Sequence, residues 1–396
     1  MRVRSTVRSG ARPGRSSLSV ALVSGSPRGV ETSFSRQLDR LAAYFESVGV
    51  SAASRGNEPD GGCARGRTSA AILLGNPDQF SSLLGGSGAG LARLHPVFLW
   101  AQLSRPLGLK KGDGETAGGS LISGAATGPS TARTAQNVLE RAVPVPLTAA
   151  TARFLEASGL REIREPIPHC VDTSLFRPRS GQEREAARRE AGVSGSFVVG
   201  TVAAFTKRKK LDRIMDAFSI FSRTRRDARL VMKTDRVLSL EGDDLARMAA
   251  ERGIENRTTI IAGGTGEDEV ARLYTLMDVY INLSEWEGFC IPVIEAMASG
   301  VPVIAQPGQG PGEIVPYREL FVEGSEQVVE GGTLLSYARP EKAAARLIEA
   351  AESPAIVKAL AQQGREEAEA RYDLKVVGEK WLSLIEETTD LEESGR

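Results

Sequence analysis

The stretch YINLSEWEGFCIPVIEAMASGVPVIAQPGQGPGE, Tyr280 to Glu313, holds two glutamates, Glu287 and Glu295, on either side of a proline-containing turn. One carboxylate can accept both hydroxyls of a cis-diol, so the pair suits a ribose held by one acid and a hexose held by the other. Hydrolases use a different arrangement, with two carboxylates flanking the scissile bond as acid/base and nucleophile. On spacing alone a structural role is equally open, because the helix macrodipole stabilises an acid near a helix start by roughly 0.3–1 kcal/mol. Glu285 is a third acid, close to Glu287 in the chain. A second cluster, TKRKK from Thr206 to Lys210, offers cations in Lys207, Arg208 and Lys209, or else forms a solvated basic turn.

The flanking pattern says what must position these groups. A strand runs to about Ser284. Pro292 suits a first helical position, where a missing N–H costs nothing. Gly300 suits the position after a helix, and Pro302 blocks its continuation. Glu287 therefore falls in a strand-to-helix loop and Glu295 in the first turn or so of a short helix. That loop is the carboxyl end of a parallel strand, where open α/β sheets bind ligands. The N–H groups of Gly288, Phe289, Cys290 and Ile291 are then available to an anion or a sugar hydroxyl.

Strands alternate with helices along the chain, which implies parallel sheets covered on both faces. Leu18–Gly29 reads as a strand followed by a glycine turn, Ala70–Gly75 and Pro96–Leu103 as further strands, and Val143–Leu160 as a strand and a short helix with Thr148 as its cap candidate, while a helix from Phe34 to Val48 is stopped by Gly49. The segments 52–68 and 110–134 are rich in Gly and Ser and read as loops or poorly ordered chain. The polar stretch Arg177–Ser196 reads as a domain boundary. Beyond it, strands at 197–205, 228–234, 258–264 and 278–284 alternate with helices. One helix carries Leu211, Ile214, Met215, Phe218 and Phe221 on a single stripe, and another opens at a Thr265-x-x-Asp268 capping pattern. The tail from Pro340 is helical in three pieces.

EGFCIPVIEAMASGVPVIA is similar to the donor-site signature of glycosyltransferase family 4, retaining enzymes of the GT-B fold with an E-x7-E motif. LTAATARFLEASG, IPHCVDTSLFRP, LDRIMDAF, LYTLMDVYINLS and GEIV resemble further segments of that family, in the same order, from about Val143 to Glu387. The resemblance implies an α/β protein of two Rossmann-like domains facing a cleft. It assigns 18–180 to an acceptor-side domain, 181–375 to a nucleotide-sugar donor domain and 376–396 to a helix crossing back to the first. Residues 1–17 precede this plan.

By position, the resemblance gives Glu295 to the nucleotide ribose and Glu287 to the donor sugar. The amides of Gly288, Phe289, Cys290 and Ile291 would border that sugar, and Lys209 would steady the diphosphate. The family usually places an arginine five positions before that lysine. Here the position is Ala204, and Arg208 or Lys207 is the candidate replacement. Cys290 stands where the family commonly has glycine. In the first domain the glycine turn at Gly25 would approach the phosphates, and His95 is the candidate for a histidine near the sugar. His169, in IPHCVDTSLF, is expected to stabilise the interdomain turn. Family members hold the diphosphate with protein groups, so no metal or other cofactor is expected.

Composition agrees with such a chain. With 396 residues it suits two domains. A formal net charge of +0 argues against nucleic acid as a partner. It also gives membrane association no positive support. The cysteines Cys63, Cys170 and Cys290 are too scattered for a disulfide framework, and a reducing, cytoplasmic setting is expected. The two histidines, His95 and His169, make a protein-built metal site improbable. The first 17 residues carry five arginines and no acid; they read as a disordered start, with a targeting segment as the alternative.

The expectation is a retaining transferase that moves a sugar from an NDP-sugar to an unidentified hydroxyl acceptor. Two alternatives stand beside it: a catalytically weakened nucleotide-sugar-binding protein of the same fold, and a sugar-nucleotide epimerase. Neither the base, the sugar nor the oligomeric state is legible.

Overall fold

The computed structural model describes residues 19–24, 33–55, 70–75, 97–101, 142–157, 163–239, 242–307, 309–323, 326–330 and 333–394. They fall into two compact units. Unit 1 combines residues up to Ile167 with Leu374–Arg396, and unit 2 is Pro168–Asp373. Residues 168–180, assigned from sequence to the first domain, thus belong with the second.

Unit 1 is built on strands β1 (Ser19–Ser24), β2 (Ser51–Arg55), β3 (Ala70–Gly75), β4 (Val97–Ala101) and β5 (Val143–Pro146), with helix α1 (Ser33–Ser47) after β1 and α2 (Ala149–Ala157) after β5. The strands lie in the order β2-β1-β3-β4-β5, and each neighbouring pair is parallel. Leu38, Leu41 and Phe45 of the expected α1 stripe are buried. Gly49 follows α1 at φ 85°, a conformation glycine adopts without a steric penalty. Thr148 caps α2 as expected, its hydroxyl accepting from Thr151 N at 3.1 Å. Strand β2 corrects the reading of 52–68 as loop from its first residue. SAASR offers no apolar alternation, and its strand character comes from pairing beside β1 at the edge of the sheet.

Unit 2 opens with α3 (Gly181–Glu190), which lies inside the polar stretch taken as a boundary. Ser180 and Glu183 form a reciprocal capping box at its start. There follow β6 (Phe197–Val202), a 3-10 turn (Lys207–Lys209), α4 (Leu211–Thr224), β7 (Ala228–Thr234), α5 (Leu245–Glu251), a second 3-10 turn (Glu255–Arg257), β8 (Thr258–Ala262), α6 (Glu267–Leu276), β9 (Val279–Asn282), α7 (Ile291–Ala298), β10 (Val303–Ala305) and α8 (Gln309–Ile314). An antiparallel hairpin, β11 (Glu326–Glu330) with β12 (Thr333–Tyr337), leads to α9 (Pro340–Glu352), α10 (Pro354–Glu367) and a π-helical turn (Ala368–Tyr372). All five expected α4 stripe residues are buried. The Thr265 cap is a correction. Helix α6 starts at Glu267 with Gly266 at the N-cap and no side-chain cap bond. Glu267, Asp268 and Glu269 in its first turn answer the helix dipole instead.

The unit 2 sheet runs β10-β9-β6-β7-β8, entirely parallel. Counted from β6 as first strand, this is the 3-2-1-4-5 order of a dinucleotide-type fold. Its topological switch point lies between β6 and β9, where connections leave to opposite sides and a crevice opens at the carboxyl ends.

The chain returns to unit 1 as α11 (Leu374–Ser394). Trp381 is fully buried there and meets Phe98 edge-on, with ring centroids 5.9 Å apart. Among the described residues no helix is long and apolar enough to cross a membrane.

Candidate functional site

Two loops leave the carboxyl ends of β6 and β9, the strands that flank the switch point. The first, Ala203 to Lys210, carries Arg208 and Lys209 on the 3-10 turn. The second, Leu283 to Cys290, carries Glu287 and runs into α7. Glu285 N donates to Arg208 O at 2.9 Å and ties the loops together through backbone.

Side chains then meet across the join. Arg208 Nη1 lies 2.8 Å from Glu287 Oε2, and Lys209 Nζ pairs with Glu287 Oε1. Glu287 is buried, with 5% of its side chain exposed. Burial pushes its carboxyl up, but the Lys209 ammonium and the Arg208 guanidinium outweigh burial and hold it at about 2. Glu287 is therefore an anion throughout the neutral range and has no proton to give. Glu285 is no competitor for this place, because it pairs with Lys210 at 2.8 Å. Arg208 is further fixed by donating to Trp286 O at 2.7 Å and by lying 4.6 Å over the Trp286 ring. Ala204 is exposed and contributes no polar side chain.

The loop backbone is braced from below by residues that spacing did not single out. Buried Gln306, just after β10, donates to Leu283 O at 2.9 Å and Ser284 O at 2.8 Å. Asn282 Nδ2 reaches Ser284 Oγ at 3.2 Å and Cys290 Sγ at 3.5 Å. Gly310 N donates to Glu287 O at 3.0 Å. A Cβ on Gly310 would stand 2.2 Å from Phe289 O, so only glycine allows this approach. The amide-and-bracing pattern of QPGQGPGE was the signal available in sequence, a glycine run just after a strand.

Gly288, Phe289 and Cys290 are buried. Among the described residues, the N–H groups of Gly288 through Ile291 are not spent on a protein acceptor. Buried backbone donors are normally paired, so these N–H groups are the loop's available donors. Cys290 has φ 91° and ψ 78°, a left-handed conformation that penalises any β-carbon. Burial, then the nearby Glu287 charge, push its thiol up to about 12, so it is not a reactive nucleophile.

Glu295 is the fifth residue of α7, at the expected first turn or so and one residue deeper than a start at Pro292 would place it, because the helix begins at Ile291. It is 8% exposed and accepts from the buried Tyr274 hydroxyl at 3.1 Å. His169 is fully buried and packs edge-on against Phe289. Gly25 and His95 lie outside the described residues, as do residues 1–17 and Cys63. Among the described residues no group of three or more His, Cys, Asp or Glu could hold a metal ion.

The arrangement is one fixed anion, two fixed cations and a row of backbone donors at the crevice of a dinucleotide-type sheet. Such a place suits a phosphorylated, hydroxyl-rich ligand.

Residues 183–367 match the family model "Glycosyl transferases group 1". That span contains every site residue just described except His169. A 172-residue segment is 31% identical to a GDP-mannose-dependent alpha-mannosyltransferase of Mycobacterium tuberculosis (strain CDC 1551 / Oshkosh), covering 43% of this chain and 41% of that protein. A 244-residue segment is 23% identical to mannosylfructose-phosphate synthase of Agrobacterium fabrum (strain C58 / ATCC 33970), covering 60% of this chain and 50% of that protein. The chain spans about half the length of the curated relatives it matches. Among solved structures, Anabaena HepE in complex with UDP aligns over 93% of this chain and 100% of its own, with a TM-score of 0.70 at 15% identity. Sucrose-phosphate synthase from Thermosynechococcus elongatus aligns over 93% and 98%, with a TM-score of 0.69 at 14% identity. These likenesses show the fold: two parallel-sheet α/β domains of the GT-B type, as the sequence implied.

Proposed function

We propose that this chain is a retaining glycosyltransferase that moves a hexose from an NDP-sugar to a hydroxyl acceptor. The observation that carries the reading is the Arg208–Lys209–Glu287 cluster, placed on the two loops of the unit 2 switch point. The family match over 183–367 supports it.

In this reading Lys209 and Arg208 face the donor diphosphate. As the bond from the anomeric carbon to the phosphate oxygen breaks, negative charge grows on the leaving group. Fixed cations there stabilise the transition state more than the ground state. Arg208 supplies the second cation that Ala204 cannot. The ionised Glu287 accepts hydrogen bonds from donor sugar hydroxyls, and the Gly288–Ile291 amides border the same sugar. Glu295 receives the ribose hydroxyls. The departing phosphate oxygen takes the proton of the acceptor hydroxyl on the face it leaves, while the acceptor oxygen bonds to the anomeric carbon. Configuration is retained. A carboxylate held at about 2 cannot act as the general acid of a hydrolase, which separates Glu287 from that chemistry. Lys209 and Arg208 need no metal partner in this scheme, and turnover should persist in a chelator.

The donor panel begins with GDP-mannose and UDP-glucose, since matched relatives are named for the first and a solved neighbour holds the second. The protein is incubated with each, with and without acceptor mixtures, and nucleotide release is followed by chromatography. Release that depends on acceptor is expected. Tight donor binding with no release from any donor would replace the enzyme by a nucleotide-sugar-binding protein.

A further inference from the structure

The chain passes between its two units twice, at Ile167/Pro168 and at Asp373/Leu374. On the unit 2 side these two passages run together. Val171 N donates to Tyr372 O at 2.8 Å, Val171 pairs with Asp373 in a parallel bridge, and the Thr173 hydroxyl donates to Asp373 Oδ2. Each passage contributes one ring to a single target, Phe289. The His169 ring stands 5.1 Å from it at 88°, and the Tyr372 ring 5.8 Å at 81°. His169, Phe289 and Tyr372 are 0%, 1% and 2% exposed. Edge-to-face contacts of this kind are directional as well as apolar.

Phe289 lies between Gly288, whose N–H meets no acceptor among the described residues, and Cys290, whose backbone is left-handed. A left-handed non-glycine residue persists only where its surroundings over-determine it. At this point of the loop Gly310 N donates to Glu287 O, Val293 N donates to Cys290 O, and Asn282 Nδ2 reaches Cys290 Sγ. None of these bonds engages Phe289 itself, and its ring, gripped by His169 and Tyr372, adds its own restraint on residues 288–290.

We infer that His169 and Tyr372 are positioning residues: acting through Phe289, they hold the donor loop in the strained conformation that presents Glu287 and the Gly288–Ile291 amides. The inference rests on the proposed function for the identity of the ligand. The restraint on the loop does not depend on it.

The strain at Cys290 supplies a test that simple packing does not pass. Tyr372→Phe keeps the ring and should bind donor as the wild type does. Tyr372→Ala should raise the donor Kd about tenfold, since strained loop conformations cost a few RT to hold. Adding Cys290→Gly removes the β-carbon penalty and should bring the Kd back to within about threefold of wild type. His169→Ala should behave like Tyr372→Ala and be rescued in the same way. Titration calorimetry uses GDP-mannose or UDP-glucose, whichever the wild type binds, on variants shown to be folded by circular dichroism. Should Tyr372→Ala not fold, Tyr372→Leu keeps bulk without a planar edge and takes its place.

Wild-type affinity in folded Tyr372→Ala, or no rescue by Cys290→Gly, overturns the inference. If the wild type binds no nucleotide sugar, the function reading falls, and the inference is judged by hydrogen exchange in the free protein. The Gly288–Ile291 amides should then exchange about tenfold faster in Tyr372→Ala than in wild type. Unchanged exchange overturns it.

Discussion

Strand β9 has an acid near each end, and each acid holds two cations. Asp278, just before the strand, takes Arg184 at 2.7 Å and Arg188 at 3.1 Å, and also accepts from Val198 N at 2.7 Å. Glu287, just beyond the strand, takes Arg208 and Lys209. By composition the two clusters are nearly the same. Their surroundings differ. Around Asp278 the arginines also donate to the Thr275, Met277 and Leu276 carbonyls, so the cluster stitches α3 to the end of α6. Around Glu287 the cations sit on a short turn beside backbone donors that, among the described residues, no protein group uses. An ion pair is thus uninformative alone. Its pole of the sheet and the state of its neighbours separate a clamp from a site.

The largest expected effect lies at the carboxyl pole. Lys209→Ala should lower kcat/KM for the donor by about 10²–10³, the usual cost of removing a fixed transition-state donor. Arg188→Ala, at the amino pole, should instead lower unfolding free energy by about 1.5–3 kcal/mol while the folded enzyme turns over normally. Denaturant titration beside steady-state kinetics measures both. If Arg188→Ala damaged turnover as much as Lys209→Ala, the contrast between the poles would be lost.

A smaller effect separates the site by pH. The folded Glu287 carboxyl lies at about 2, below its ordinary 4.5, because Lys209 and Arg208 outweigh the opposing effect of burial. A depressed acid stabilises the fold fully above its unfolded value and loses that contribution as pH falls through the folded one. Urea midpoints of the wild type should therefore drop between pH 4.5 and about 2 more steeply than those of Glu287→Gln. Parallel curves would remove Glu287 from the ion cluster.

Glu295→Ala comes next, weakening donor binding about tenfold, the scale of a lost charge-assisted hydrogen bond. Calorimetry with the donor that turns over checks it, and unchanged affinity would remove Glu295 from the ribose. Smallest is Cys290→Gly alone. Relief of the left-handed strain should raise stability by under about 1 kcal/mol, partly offset by the lost thiol packing. A fall in thermal midpoint would show that packing dominates at that position.

Much of unit 2 was legible because its elements carry strong local signals. The α4 stripe from Leu211 to Phe221 is buried as its 3.6-residue period requires, and Gly300 follows α7 at φ 70° as a helix terminator should. Glu287 and Lys209 were nominated before the fold was known, and the sheet order then brought them into contact. What could not be read is pairing at a distance. Arg188 and Asp278 are 90 residues apart, and only the adjacency of β6 and β9 makes them partners. The same holds for His169, Phe289 and Tyr372, which no periodicity connects. Arg177–Ser196 reads as a domain boundary because an exposed, highly charged helix lacks an apolar stripe; its Arg184 and Arg188 are spent on tertiary contacts. SAASR looked like loop because an edge strand can be specified by its neighbour's register more than by its own residues. The functions carried over for Glu295, Gly25 and His95 came from resemblance, and the latter two fall outside the described residues.

One consequence concerns the order in which the molecule is made. Unit 2 is a single unbroken run, Pro168–Asp373, whereas unit 1 is finished only by α11, whose Trp381 packs on Phe98 and whose Glu379 accepts the Tyr44 hydroxyl. Domains fold as they emerge from the ribosome, generally the earlier one first. Here the later domain is complete while the earlier one still awaits its last helix. For that interval the nascent first domain carries an uncovered apolar seam around Phe98, so chaperone capture in the cell should concentrate on chains stalled just short of Leu374.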